Sequence, residues 1–497
     1  MGPPFVKEVC LGGTQSQPSM QAASAECLHM QPSSEGLKAE RRVNIQRQHH
    51  VTKRSEEEVN TLTLFLLACS ATAGVLLEFY DFTIFGYAAA SAFPQVFFPN
   101  LPPARALVFS YLAYGSGYPA RLIGAFVFGH FGDRTGRKIA FLLNILIVGT
   151  STCVTGLLPG YARLGIAAPV LLVCLRVIQG IGIGGEFGGA SSLLAEFAAK
   201  RRCRAFWISL ASLGIALGLM AGSGVFLLLR NTFATSGWRI AMFLSVLVAI
   251  PALVARYKLT ESPLFSQIKR HEQLSRLPSF DVFRKHAVSI AVLAMVTAFQ
   301  IMDATVTGTY FISFMSFAGI PLGTTATIIF LSRIADVLGV CLSGPLADLF
   351  KRKMLAYCAI GLTTLLSYPF ALAVLRKHIA TVMILQCVIV ILGMGALRGL
   401  IPILTSENFP TKFRYSGSGI SFGLGGVLGG MMAPPLLASM IGQDVAHKWY
   451  YVPVVYAVYC GAAMLGLLFL RETRDLRLED LDIPTPELIP RPTVAIP

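Results

Sequence analysis

The chain has 497 residues, 54% of them hydrophobic and only 13% charged, with a mean hydropathy of +0.64. A soluble domain carries about 25% charged residues, so this composition excludes an ordinary water-soluble globular protein. The net charge of +15 does not indicate a nucleic-acid binder. Such proteins gather basic residues on a soluble face beside groups that read bases, whereas here the basic residues fall in short links between apolar runs.

Residues 1–58 are polar, without helical periodicity, and are expected to be a disordered tail. The first long apolar run starts near Thr61 and is too long for the core of a cleavable signal peptide. From there the chain reads as twelve apolar spans, each long enough to cross a bilayer. They run roughly over 61–90, 105–131, 138–158, 168–198, 205–229, 239–258, 286–311, 322–346, 354–375, 379–404, 416–441 and 450–470. An even number puts both termini on one side. The two tails and the even-numbered links hold 30 of the 41 Lys and Arg, and the odd-numbered links hold seven. By the positive-inside rule both termini are expected in the cytoplasm.

Between spans two and three stands GHFGDRTGRK (129–138), with Gly129, Asp133, Arg134, Gly136, Arg137 and Lys138. A degraded copy, GPLADLFKRK (344–353), which contains Asp348, follows 215 residues later. LLAEF (193–197) is echoed by LTSENF (404–409), aligning Glu196 with Glu407 at an offset of 211, and the same offset carries Gly214 and Gly218 onto Gly425 and Gly429. The repeat predicts two six-helix halves, 59–258 and 286–471, joined by a cytoplasmic linker at 259–285 and followed by a cytoplasmic tail at 472–497. Two parallel halves with a site between them are the plan of alternating-access transporters.

GHFGDRTGRK resembles the loop motif of the major facilitator superfamily. Within it the chain is similar to the metabolite:proton symporters, which include carriers of shikimate, 2-oxoglutarate, citrate and proline or betaine. The matching stretches are LEFYDF (77–82), PARLIGAFVFGHFGDRTGRK (119–138), LRVIQGIGIGGEFGGA (175–190), ESPLF (261–265) and ENFPTKFRYSGSGISFGLGGVLGG (407–430). The resemblance implies an all-α, twelve-span integral membrane protein of two pseudo-symmetric halves in a plasma (bacterial inner) membrane, with the titrating acid of span 1 at Asp81. The second-half loop keeps only part of the motif. A two-glycine turn allows a tight link, and Asp133 can sit at the N-terminal end of a neighbouring helix. Basic residues of the loop can pair with acids such as Glu196 in one conformation and release them in the other. The loop thus reads either as a latch or as a determinant of topology alone.

An ionisable side chain in mid-bilayer costs at least ~2.5 kcal/mol and marks a functional position by default. Glu78 and Asp81 share one face of span 1, and Arg176 lies at matching depth on span 4. A carboxylate beside an arginine can give up its charge by protonation, so Asp81, Glu78 and Arg176 are the proton-coupling candidates. Arg121 with Glu186, and Arg333 with Asp336, are expected to form intramembrane pairs, either structural or gating. Arg176, Gln179, Tyr80, Gln300, Asp303 and Arg398 are the substrate-binding candidates, with Gln300 and Asp303 on one face of span 7. Arg398 reads as a substrate anchor or a gate charge. Gly214, Gly218 and Gly222, repeated by Gly425 and Gly429, form small-residue faces for close helix packing.

The cysteines show no CxxC pair, and Cys69, Cys153, Cys174, Cys341, Cys387 and Cys460, inside apolar runs, are expected to be small buried hydrophobes. No metal set, cofactor motif or nucleophile–base constellation occurs, so the chain is expected not to be an enzyme and to need no cofactor. Four intramembrane arginines favour a carboxylate ligand. The expected partners are a small organic acid, protons and the bilayer, with no nucleic acid, and the protein is expected to act as a monomer. The rival substrate is a zwitterionic osmolyte such as proline or betaine.

Overall fold

The structure is a computed structural model that describes residues 61–135, 137–184, 191–192, 194–195, 197–198, 203–258, 278–410 and 413–476. These residues form helices and no strand. In chain order the first half holds α1 (Thr61–Ser91), α2 (Pro103–Gly115 and Gly117–Thr135), α3 (Arg137–Leu157), α4 (Ala167–Ile183), α5 (Arg204–Leu228) and α6 (Trp238–Lys258). The second half holds α7 (Val282–Phe317), α8 (Leu322–Leu349), α9 (Arg352–Leu375), α10 (Ile379–Glu407), α11 (Arg414–Ile441) and α12 (Tyr451–Phe469). Every expected span is met by a helix. The end of the bundle where α1 begins and α12 finishes is called the near end, and the opposite one the far end.

The apolar runs decide which face of each rod looks outward. Ile123, Val127, Val170, Leu247, Leu338 and Leu465 are exposed, as they must be where the surrounding solvent is hydrocarbon. The cysteines correct one expectation. Cys69, Cys174 and Cys341 are exposed, and Cys153, Cys387 and Cys460 are half-buried, because an apolar run in a membrane protein has a lipid face as well as a core face. A second difference concerns the linker: residues 278–285 are helical, with a break in helical geometry at His286. Pro278 can open this helix because a first-turn position needs no backbone N–H.

The small-residue faces set the crossings. A Cβ on Gly214 would lie 2.5 Å from the Thr72 carbonyl oxygen, and one on Gly218 2.5 Å from that of Leu76. The backbones of α5 and α1 therefore touch. In the second half, Gly425 and Gly429 of α11 lie against Thr297 and Ala298 of α7. Helices five and one of each half meet by the same device, which is the sequence repeat expressed in packing. Three rods of the second half contain π-helical turns, at Val306–Tyr310 in α7, Ile389–Gly395 in α10 and Gly426–Met431 in α11. Such turns interrupt the regular ladder and are common at functional sites.

Candidate functional site

On α1, Glu78 and Asp81 are both buried but held differently. Glu78 Oε1 lies 2.5 Å from Arg121 Nη2 of α2. The expectation paired Arg121 with Glu186; the acid observed on Arg121 is Glu78, and Glu186 lies outside the described residues. The Arg121 guanidinium also lies over the rings of Phe79 and Phe82, at 5.6 and 5.1 Å.

Asp81 and Arg176 make no direct ion pair; two side chains bridge them. Thr152 Oγ1 of α3 is 2.9 Å from Asp81 Oδ2, Gln179 Nε2 donates to Thr152 Oγ1 at 2.7 Å, and Arg176 Nη1 donates to Gln179 Oε1 at 2.5 Å. Arg176 Nε donates to the Tyr114 carbonyl at 3.2 Å, and its guanidinium stacks 3.9 Å from the centre of the Phe82 ring. Thr152 Oγ1 is also 2.9 Å from the Val148 carbonyl. A hydroxyl has one proton to give. With Asp81 ionised, Thr152 can donate to it; with Asp81 protonated, the acid can donate to Thr152 and the hydroxyl can turn to Val148. Tyr80 is not part of this chain, since its O–H donates to the Ala241 carbonyl at 2.8 Å.

In the second half, Asp336 Oδ2 is 3.7 Å from Arg333 Nη1 on its own helix, and Asp336 Oδ1 is 3.2 Å from Arg398 Nε of α10. The local pair expected on α8 is thus a triad of two cations and one carboxylate. Among the described residues, Arg333 Nε and Nη2 and Arg398 Nη2 are buried without a partner at hydrogen-bond geometry. Asp303 Oδ1 accepts from the Tyr456 hydroxyl of α12 at 2.7 Å.

Between the halves lies a narrow cavity of about 40 Å³, lined among others by Phe82, Tyr114, Arg121, Gln300, Arg333 and Arg398. Of the substrate-binding candidates, Gln300 and Arg398 reach its wall. Arg176, Gln179, Tyr80 and Asp303 lie behind it, with Arg176 one ring deep behind Phe82 and Tyr114. The halves touch on both sides of the cavity. At the far end, Tyr111 and Ser313 hydroxyls are 2.7 Å apart, and Ser313 donates to the Ala90 carbonyl at 3.1 Å.

At the near end, Glu407 accepts from Arg204 at 2.8 Å, from Arg352 at 3.0 Å and from Thr473 at 2.6 Å. Asp348 accepts the backbone N–H groups of Ala205 and Phe206, at 3.0 and 3.1 Å, where α5 begins. This is the contact expected of Asp133, made by its second-half counterpart. Gly129, Asp133 and Arg134 end α2, and Arg137 and Lys138 open α3. Their side chains, together with Gly136 and Glu196, lie outside the described residues. Thr152, Tyr456, Arg204 and Thr473 were not anticipated, because a lone hydroxyl or a loop arginine acquires its role only from a partner far away in the chain.

The family model described as "Sugar (and other) transporter" matches residues 66–277. The chain is 34% identical over 420 residues to the inner membrane metabolite transport protein YhjE of Escherichia coli (strain K12), covering 81% of this chain and 92% of that one. The chain belongs to the metabolite transporters of the major facilitator superfamily. The shikimate transporter of Escherichia coli (strain K12) is 28% identical, with 82% and 94% covered. Among solved structures, a partially occluded, inward-open form of the xylose transporter XylE from E. coli superposes with a TM-score of 0.64 at 18% identity, covering 83% of this chain and 98% of that one, and shows the same fold. The protein is therefore a multi-pass secondary transporter, not an enzyme.

Proposed function

We propose that the protein takes up a small organic acid together with protons, by alternating access, across a bacterial inner membrane with both termini in the cytoplasm. The observation that carries this reading is the surplus of cation at the cavity wall. Arg333 and Arg398 share one carboxylate, Asp336, and keep three buried donor atoms unmet. A buried donor without an acceptor is costly, and a planar carboxylate is the group that two guanidinium forks recognise best. Gln300 adds a neutral donor and acceptor, and the rings of Phe79, Phe82 and Phe422 supply an apolar wall.

In this reading Asp81 carries the proton. A ligand pressing on Phe82 and Tyr114 displaces the stacked Arg176, and the shift passes through Gln179 and Thr152 to the Asp81 carboxylate. A buried acid losing a cation's influence takes up a proton more readily. Substrate and proton then load together, and the halves rock about the cavity.

Uptake by the purified protein in vesicles, driven by an imposed pH gradient, tests the substrate class. Labelled shikimate and 2-oxoglutarate represent organic acids, and labelled proline and betaine represent zwitterions. The expected result is accumulation of a carboxylate that collapses when the pH gradient is removed. Accumulation of proline or betaine with no carboxylate uptake would reject the organic-acid reading in favour of an osmolyte carrier.

A further inference from the structure

Asp303 stands 222 residues after Asp81, and Gln300 stands 222 after Glu78, so α1 and α7 carry their polar pairs in register. The two aspartates also have matching surroundings. Each is 1% exposed, each accepts a hydrogen bond from a hydroxyl of its own half, and each keeps one carboxylate oxygen without a partner, Asp81 Oδ1 and Asp303 Oδ2. Among the described residues neither makes an ion pair, whereas Glu78, Asp336 and Glu407 all do.

We propose that Asp303 is a second proton-binding site, seated in the C-terminal half behind the substrate cavity and governed by Arg333 and Arg398. This rests on the proton-coupled reading above and extends it to the second half. The groups facing Asp303 can be named helix by helix: Tyr456 from α12, Arg333 and Asp336 from α8, and Arg398 from α10. The α11 face packed on this part of α7 presents Gly425 and Gly429, and α1 presents Gly86 to Thr309 further along. One hydroxyl and one surplus cation are all that favour the ionised form. A substrate carboxylate drawn to Arg333 and Arg398 cancels that surplus. The Asp303 carboxylate then binds a proton, becoming a neutral acid whose carbonyl oxygen can still accept from Tyr456. Loading of one anion is thereby linked to one further proton, and unloading reverses both.

Infrared titration of the full chain in phosphatidylethanolamine–phosphatidylglycerol vesicles reads this directly, through the C=O band that a buried carboxyl shows only when protonated. Asp303→Asn should remove one buried-carboxyl titration from the wild-type profile, and Asp81→Asn a different one. Tyr456→Phe preserves the acid and removes a donor to its ionised form, so the Asp303 step should move up by about one to two pH units. An unchanged set of bands in Asp303→Asn, or an unmoved midpoint in Tyr456→Phe, overturns the proposal. Loss of only the Asp81 step from the wild-type profile counts against the coupling role of Asp81 and leaves Asp303 standing, so the two readings fail separately.

Discussion

Glu78 and Asp81 sit three residues apart on α1 and answer to different partners, an arginine for the first and a threonine for the second. The sequence offered both acids as proton-coupling candidates, and the family resemblance put the titrating acid at Asp81. The ion pair with Arg121 makes Glu78 the acid whose loss costs stability. Removing one member of a buried ion pair leaves the other charge uncompensated, typically at a cost of about 3 kcal/mol or more. Glu78→Gln and Arg121→Gln are each expected to lower the thermal unfolding temperature in detergent, with Glu78→Gln/Arg121→Gln recovering part of the loss. Additive losses in the double variant would show that the pair contributes nothing as a pair. The partners themselves were not legible. Depth along a helix can be counted from residue numbers, but rotation about the helix axis is set by packing, and rotation gives Arg121 to Glu78 and inserts Thr152 and Gln179 between Asp81 and Arg176.

At the scale of helices nearly everything was legible, because membrane spans are written in long apolar runs and the halves repeat. The GxxxGxxxG face of α5 was read as a close-packing face, and the contact with α1 agrees. It yields a contrast between two glycines. Gly218→Ala puts a methyl 2.5 Å from the backbone oxygen of Leu76, whereas the same change at Gly419 of α11 meets nothing within 4 Å. Backbone cannot rotate away as a side chain can. Gly218→Ala should therefore reduce folded protein recovered from membranes several-fold, while Gly419→Ala should match wild type, as judged by size-exclusion profiles. Equal recovery of the two would mean that α1 and α5 separate without cost. The π-helical turns in α7, α10 and α11 carried no recognisable pattern. They depend on how a rod accommodates its neighbours, as where Gln386 donates to the Thr307 carbonyl at 3.3 Å.

Across the whole molecule, the two halves are tied at the near end through Glu407, an acid that Arg204 of the first half shares with Arg352 of the second. The segment after α12 joins the same knot, since Arg204 donates to the Thr473 and Leu476 carbonyls at 3.3 and 3.0 Å. Removing the acid leaves two buried cations facing each other. Glu407→Gln should therefore shift the population toward a form open at the near end, seen as longer distances between spin labels placed on the near ends of α5 and α10. Unchanged distances would show that this cluster does not hold the halves together. The central claim concerns what drives the cycle, and Asp81→Asn in sealed vesicles tests it most directly. Asparagine mimics the protonated acid and can still hydrogen-bond Thr152, so the helices should pack as before. The account predicts that this variant exchanges labelled substrate down its gradient yet no longer accumulates it when a pH gradient is imposed. Accumulation equal to wild type, with the same dependence on pH, would contradict it.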